Sequence, residues 1–505
     1  MFNVIFAAVL FTMCGAQLKR KNVLFFVADD LRPNLGAYSG NNAPSPSDPV
    51  MYTPNLNRLA RSSLVLQRSY VSQAICSPSR TSVLTGRRPD TTRVWDLKHY
   101  WRVVGGNFTT IPQYFKENGY RTVGMGKVFH PGKRASGNND PISWTDPYFL
   151  GKDDYPSNRL LWQAVTEEEE RRTPLIDTQI ADFAVRTLKD VAPKAKSGEQ
   201  PFFVAVGFHK PHTPWNYPVR FEKYYPLDSL KLPDNYFSPV DMPAFAWHNF
   251  SRLGTYKNVI PFNLHDVGSI NYTFPKNLTL LMRRAYYTSV SFTDYNVGRV
   301  LQELEDLGLA NDTIVSFWGD HGWQLGEHCE WQKETVFELA ARAPMMVKVP
   351  GLTDNGIVTS QLVEFVDLFP TLVDLAGLPK MKLCPENSSQ ILLCTEGKSF
   401  VPLFKNPNIT GWKKAAFSQF PHDRNGRNGL DVMGYSIRTD RYRYTEWARF
   451  KPHLRPEWDK LHGVELYDHG KDPEENRNRA QEPSYANLRA QLSKQLRAGW
   501  RYVNM

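Results

Sequence analysis

The chain has 505 residues, a formal net charge of +10, 41% hydrophobic residues and 13% aromatic residues. That length is too great for one small core and fits a large domain with a smaller companion, and the composition excludes wholesale disorder. The basic balance favours an acidic partner such as a sulfated polysaccharide, a nucleic acid or an anionic surface, but without a dense Lys/Arg run or a nucleic-acid motif, nucleic acid is set aside.

In chain order, the first sixteen residues are an apolar run too short to span a bilayer. They end in Gly15 and Ala16 before a polar stretch. This reads as a secretory signal cut near Ala16, although it lacks a basic start. Buried strands are predicted over Asn22–Ala28, 122–125, 202–207 and 313–318, all short apolar runs. Amphipathic helices are predicted over 109–117, 177–188 and 288–307, with a short solvated helix start at Glu167–Arg172. Alternation on this scale argues for an α/β, doubly wound domain. Near residue 415 the texture changes. Strands over 416–420, 434–438 and 442–447, a polar loop over 422–429 and a charged helix over 485–497 predict a second, antiparallel subdomain. The expected partition is 1–16, 17–415 and 416–505. No segment after the leader is long and apolar enough to cross a membrane.

Seven N-x-Ser/Thr sequons, at Asn107, Asn249, Asn271, Asn277, Asn311, Asn387 and Asn408, support a secretory route. Of five cysteines, Cys14 leaves with the leader. Cys384 and Cys394 flank a short loop and suit a local disulfide in an oxidising compartment. Cys76 and Cys329 remain.

The informative residues follow the strands. The first strand ends in Asp29-Asp30, the second in Lys127 and His130, the third in His209 and His212, the fourth in Asp320-His321. Open α/β sheets place their sites at the carboxyl ends of strands, so four such ends predict one crevice. The carboxylates of Asp29, Asp30 and Asp320 suit a hard cation such as Ca²⁺ or Mg²⁺. Paired aspartates also cap helices and turns, and His321 is a less usual ligand for a hard cation.

The segment Cys76-Ser-Pro-Ser-Arg80-Thr-Ser-Val-Leu-Thr-Gly86 is the most specific in the chain. It is similar to the sulfatase signature, Cys-x-Pro-x-Arg followed after a short spacer by Thr-Gly. The resemblance covers nearly the whole mature chain and implies an alkaline-phosphatase-like fold, with a large mostly parallel sheet and a smaller C-terminal antiparallel one. It implies that Cys76 is oxidised to formylglycine by the formylglycine-generating enzyme. It also implies that one Ca²⁺ is held by Asp29, Asp30, residue 76, Asp320 and His321. Arg80, Lys127, His130, His212 and Lys333 match the family's catalytic positions: Arg80 activates the nucleophile, Lys127, Lys333 and His212 hold sulfate oxygens, and His130 acts as base. A cationic group or His212 would donate a proton to the departing oxygen.

Within the family, the likeness is to the iduronate 2-sulfatase branch. It is carried by residues 85–93, 100–102, 106–120, 126–132, 320–328 and 433–439, by Asp-His rather than Asp-Asn at 320–321, and by the Cys384–Cys394 pair. The chain departs from that branch at Cys329, where a glycine is expected, over 133–176, and in a short linker before the small subdomain. The implied activity is removal of the 2-O-sulfate of iduronate from heparan sulfate and dermatan sulfate, sulfated glycosaminoglycans, in the lysosome or outside the cell. Trp323 and Gln324 are expected near the pocket, and His99, Tyr100, Trp101, Arg102 and Arg438 are candidates to meet a sugar carboxylate. The alternatives are a sulfatase for another sulfated substrate, a phosphoryl or phosphonyl hydrolase, and a non-catalytic sulfatase-like secreted protein. Cys76 and a single aspartate-rich site argue against the hydrolase of phosphorus esters. The intact Cys76, Arg80 and aspartates argue against the non-enzyme.

Overall fold

The computed structural model describes residues 20–39, 44–153, 159–422, 431–452 and 456–504. The expected leader with Cys14 and nearly all of the loop expected over 422–429 lie outside them.

The seven-stranded main sheet contains β1 (Asn22–Ala28), β2 (Leu64–Tyr70), β3 (Arg121–Gly126), β4 (Phe202–Phe208), β5 (Thr313–Gly319), β6 (Met345–Lys348) and β7 (Ile357–Glu364). Its order is β7-β2-β6-β5-β1-β4-β3, parallel throughout except for β6, which runs antiparallel to both neighbours. Successive side chains of a strand point to opposite faces. Leu24, Phe26 and Ala28 therefore enter one core, and Val23, Phe25 and Val27 the other. Both faces are covered, so β1 is buried along its whole length and reads as one apolar run.

Four helices matter for the site: α1 (Cys76–Thr85), α2 (Ile111–Glu117), α3 (Ile176–Ser197) and α4 (Lys276–Asp306). The first core takes α3 and α4 through Ile180, Ala184, Leu188, Val290 and Val297, and the second takes α1 and α2 through Val83, Leu84, Ile111 and Phe115. Helix α4 starts at Lys276, well before the expected residue 288. Its first turns bury Arg283, which is paired with Asp48 and Glu327, so the apolar stripe is interrupted there. Helix α3 runs past residue 188 because Val191, Ala192 and Ala195 continue its buried face.

A four-stranded antiparallel sheet, β8 (Ala415–His422), β9 (Val432–Thr439), β10 (Tyr442–Arg449) and β11 (Glu457–Asp468), follows in chain order. The closing helix α5 (Ala486–Ala498) covers it through Leu492 and Leu496. Phe420, Val432, Trp447 and Tyr467 of this small sheet pack on Ile75, Val336 and Phe337. The small sheet thus buttresses the residues just before Cys76 and just after Lys333. The Cys384–Cys394 disulfide is formed, while Cys76 and Cys329 are free and buried. Among the described residues, no helix is long and apolar enough to cross a membrane.

Candidate active site

The register of the main sheet builds the crevice. Ala28 pairs with Phe208 on one side and Gly319 on the other, and Gly126 pairs with Gly207. The next residues of β1, β4 and β5, namely Asp29, His209 and Asp320, therefore leave the sheet side by side. Lys127 enters the same place because the chain bends sharply after β3. Gly126 has φ +67°, where a Cβ would collide with the Gly207 carbonyl, and only glycine adopts that conformation at no steric cost. The Lys127 N–H then donates to the Gly207 carbonyl at 2.8 Å.

Cys76 is the first residue of α1, a helix in which all ten residues are buried. Two of its polar side chains, Ser79 and Arg80, reach the residues at the strand ends. Arg80 Nη2 lies 3.0 Å from Asp29 Oδ1 and Arg80 Nε 2.9 Å from Asp320 Oδ2. The Ser79 hydroxyl donates to the Asp320 carbonyl. The helix N-terminus, whose first N–H groups have no partner within the helix, faces the crevice and favours an anion there.

Cys76 Sγ sits 3.4 Å from Asp29 Oδ1, 3.5 Å from His321 Nε2, 3.4 Å from Lys333 Nζ and 3.6 Å from Lys127 Nζ. The two ammonium groups also pair with the aspartates, Lys127 with Asp29 and Lys333 with Asp30. Lys333 reaches in from a tight hairpin in which its neighbours Gln332 and Glu334 both have positive φ, 73° and 75°. Strained backbone of this kind concentrates where a side chain must be aimed.

Three histidines share one arrangement. Nδ1 of His130, His212 and His321 each faces a backbone carbonyl, of Pro131, Thr213 and Gly322. A carbonyl only accepts, so Nδ1 carries the proton and Nε2 offers a lone pair. His321 Nε2 points at Asp30 and Asp320, 3.5 Å from each, and His212 Nε2 lies 3.8 Å from Asp30 Oδ2. His130 lies at the rim, partly exposed, without a direct contact to Cys76. Burial, reinforced by the charge of Lys127, lowers His130 to about 4 and His212 well below its ordinary value. Burial and the charge of Lys333 do the same to His321.

The carboxylates differ among themselves. Burial pushes Asp29 up, but Lys127, His212, Arg80 and Lys333 outweigh it and hold it well below the usual range. Asp30 is pushed up to about 7, by burial first and then by facing Asp29 and Asp320, with Lys333 only partly offsetting. Burial, again reinforced by Asp29, raises Asp320 to about 6 despite Arg80. Asp30 Oδ2 is buried without a hydrogen-bond partner. One ligand atom from each of Asp29, Cys76, Asp320 and His321 lies within 4.8 Å of the others, and the same holds for Asp29, Asp30, Cys76 and His212. Crowded carboxylates, an orphaned carboxylate oxygen and an imidazole lone pair aimed at one point fit a bound cation, which would relieve the repulsion that raises Asp30.

Residues 21–378 match the sulfatase family, and residues 326–501 match the C-terminal part of N-sulphoglucosamine sulphohydrolase. The chain belongs to the sulfatase family. It is 39% identical to iduronate 2-sulfatase of Mus musculus, with 90% of each chain covered, and 38% identical to iduronate 2-sulfatase of Homo sapiens, with 92% of each covered. Among solved structures, it matches one of a protein in complex with its substrate D-glucosamine-2-N,6-O-disulfate. The TM-score is 0.70 at 20% identity, over 95% of this chain and 97% of that one. That likeness shows the fold alone, which is alkaline-phosphatase-like. The activity of this sulfatase is hydrolysis of sulfate esters.

The sulfatase brings Asp29, Asp30, Cys76, Arg80, Lys127, His212, Asp320, His321 and Lys333 into one crevice, with His130 at its rim. The expected sugar-binding residues need correction. Arg102 is paired with Asp140, and Arg438 with Glu338 and His469, so neither guanidinium fork is free for a substrate carboxylate. Trp101 is fully buried, the Tyr100 hydroxyl is bound to Asp140, and exposed His99 pairs with Asp96. Trp323 and Gln324 are buried as well. Trp323 lies beneath Lys333, whose Nζ is 5.3 Å from the ring centre, and supports that ammonium from below. Beside Lys333, His248 pairs with Glu334 at 3.0 Å, and its backbone N–H donates to Glu330. Nothing in the spacing of those residues signals the contact.

Proposed function

We propose that this sulfatase removes the 2-O-sulfate of iduronate from heparan sulfate and dermatan sulfate, using a formylglycine made from Cys76 and one bound calcium ion. The observation that carries the reading is the position of Cys76 Sγ, flanked by two ammonium groups and faced by carboxylates. That is a pocket for a tetrahedral anion over a reactive atom. The formylglycine-generating enzyme would convert the thiol to a hydrated aldehyde, which supplies one hydroxyl to meet sulfur and a second through which sulfate is released. Asp29, Asp30, Asp320 and His321 would hold the cation, which adds positive charge at the sulfate oxygens. An oxygen-dominated set suits calcium.

The remaining steps belong to side chains. Lys127 and Lys333 hold sulfate oxygens from two sides and stabilise the charge that develops as the ester bond breaks. Arg80 neutralises and orients Asp29 and Asp320. His212, with 35% of its side chain exposed, faces the path by which the sugar oxygen leaves. His130, at the rim with its Nε2 lone pair, would take a proton from residue 76. All seven sequon asparagines are exposed, which supports a secretory route to the lysosome or the exterior, and the identity to iduronate 2-sulfatases supports the substrate.

The test is sulfate release from a panel: an iduronate 2-sulfate disaccharide, glucosamine sulfates, an aryl sulfate and a phosphonate monoester. Release from the iduronate disaccharide at the highest kcat/KM supports the reading. Preference for another sulfate removes the iduronate assignment alone.

A further inference from the structure

His212 rides on loop 209–214, which contains Pro211 and Pro214 and so lacks two of its backbone donors. Within the loop the His212 N–H donates to the His209 carbonyl at 2.9 Å, and further order comes from side chains outside or folded back over it. The carboxylate of Asp177, fully buried in the first turn of α3, accepts the backbone N–H of His209 on one oxygen and that of Lys210 on the other, both at 2.8 Å. The Lys210 ammonium folds back and donates to the carbonyls of His212 at 3.0 Å and Pro214 at 2.6 Å. The Thr293 hydroxyl on α4 donates to the Lys210 carbonyl at 3.0 Å. The loop is thus tied to two helices at its start and to its own lysine at its end, with His212 between the ties.

We propose that Asp177, together with Lys210, is the positioning residue that sets His212 against the ester oxygen of the substrate. The inference rests on the reading of His212 as a group that meets the substrate. Only a carboxylate accepts both N–H groups at once. An asparagine of the same shape would accept one and present its own N–H₂ to the other. The loop would then lose one anchor without losing volume, and a shift of about 1 Å at a reacting group costs on the order of 100-fold in rate.

The experiment is a double-mutant cycle of Asp177→Asn and His212→Gln, with kcat and KM measured on the iduronate 2-sulfate disaccharide, or on 4-nitrophenyl sulfate should the sugar be refused. Asp177→Asn alone is expected to lower kcat about 10- to 100-fold, the usual range for a residue that orients another, with KM little changed. In the His212→Gln background the same substitution is expected to cost less than about twofold, since a residue that acts through His212 has nothing left to position. Lys210→Met should repeat the loss and Lys210→Arg, which keeps the donors, should retain most activity. An equal loss from Asp177→Asn in both backgrounds would overturn the inference and leave His212 in place. A wild-type kcat for His212→Gln would remove the His212 reading and this inference with it.

Discussion

Among the buried ionic clusters of the described residues, two are built from the same residue types, carboxylates with Arg and His, and each could be mistaken for a metal site. The crevice at the head of β1 joins Asp29, Asp30 and Asp320 to Arg80, Lys127, Lys333 and three histidines. The joint between the main domain and the small sheet joins Glu338 and Glu475 to Arg438, Arg443 and His469. Each brings three potential metal-ligating side chains or more within 4.8 Å. They differ in what is left over. In the joint, Glu338 takes Tyr70 on one oxygen and two arginines on the other, and both oxygens of Glu475 are engaged. His469 has Arg438 on Nδ1 and Glu475 on Nε2. The leftover atom there is a donor, Arg443 Nη1, which repels a cation. In the crevice the leftover is an acceptor, Asp30 Oδ2, with Nε2 of His212 at 3.8 Å. The sign of the unsatisfied atom, rather than buried charge as such, separates the candidate site from the joint.

The sharpest break in that comparison is Cys76→Ser, which is expected to lower turnover by about 10⁴-fold or more with almost no change in Tm. A serine hydroxyl has no second hydroxyl through which to release sulfate. At the joint the pattern should invert. Glu338→Ala leaves Arg438 and Arg443 buried without their shared carboxylate, and is expected to cost about 3–5 kcal/mol in urea denaturation with kcat of the folded protein nearly unchanged. A large kcat loss there would place the joint in the chemistry.

Removal of divalent cations should act on the crevice alone. Chelation is expected to abolish activity reversibly. At a calcium concentration near 100 Kd, the stabilisation lost is about 2.7 kcal/mol. Asp30→Asn should make Tm insensitive to calcium, whereas Glu475→Gln should leave the calcium-dependent shift intact.

The smallest effect is expected beside Lys333, where His248 meets Glu334 and Glu330, with Arg252 also near Glu334. The two glutamates outweigh burial and raise His248 to about 9, above its ordinary 6.5. The stabilisation it contributes is complete below pH 6.5 and lost as pH rises through 9. Burial raises Glu330 to about 8 from its ordinary 4.5, so its contribution also fades on the way up. Glu334, held near 2 by His248, stays ionised throughout. Urea denaturation between pH 6.5 and 9 should show falling stability, and His248→Gln should flatten that slope. A flat wild-type profile would contradict it.

The strand ends were readable because a strand buried on both faces is an unbroken apolar run, and the charged residue that stops the run marks the crevice. The signature around Cys76 added the candidate nucleophile, and the residues matched through it meet in one crevice, with His130 at its rim. Three strands, β2, β6 and β7, carry no such signal: β6 has four residues, and β7 at the sheet edge mixes exposed with buried positions. Arg102 and Arg438 looked available because their partners, Asp140 and Glu338, lie 38 and 100 residues away. Asp177 reads as an ordinary acid at a helix start, since its contact with loop 209–214 exists only once α3 packs beside β4.

The central claim is that residue 76 works as an aldehyde among ammonium groups and a cation, and the mass of one peptide tests it most directly. Digestion with trypsin of protein made in a secretory host with the formylglycine-generating enzyme co-expressed releases residues 69–80. The expected result is a peptide carrying formylglycine at position 76, which reacts with a hydrazide probe, in step with sulfatase activity. A fully active protein whose residue 76 is still a free thiol would contradict it.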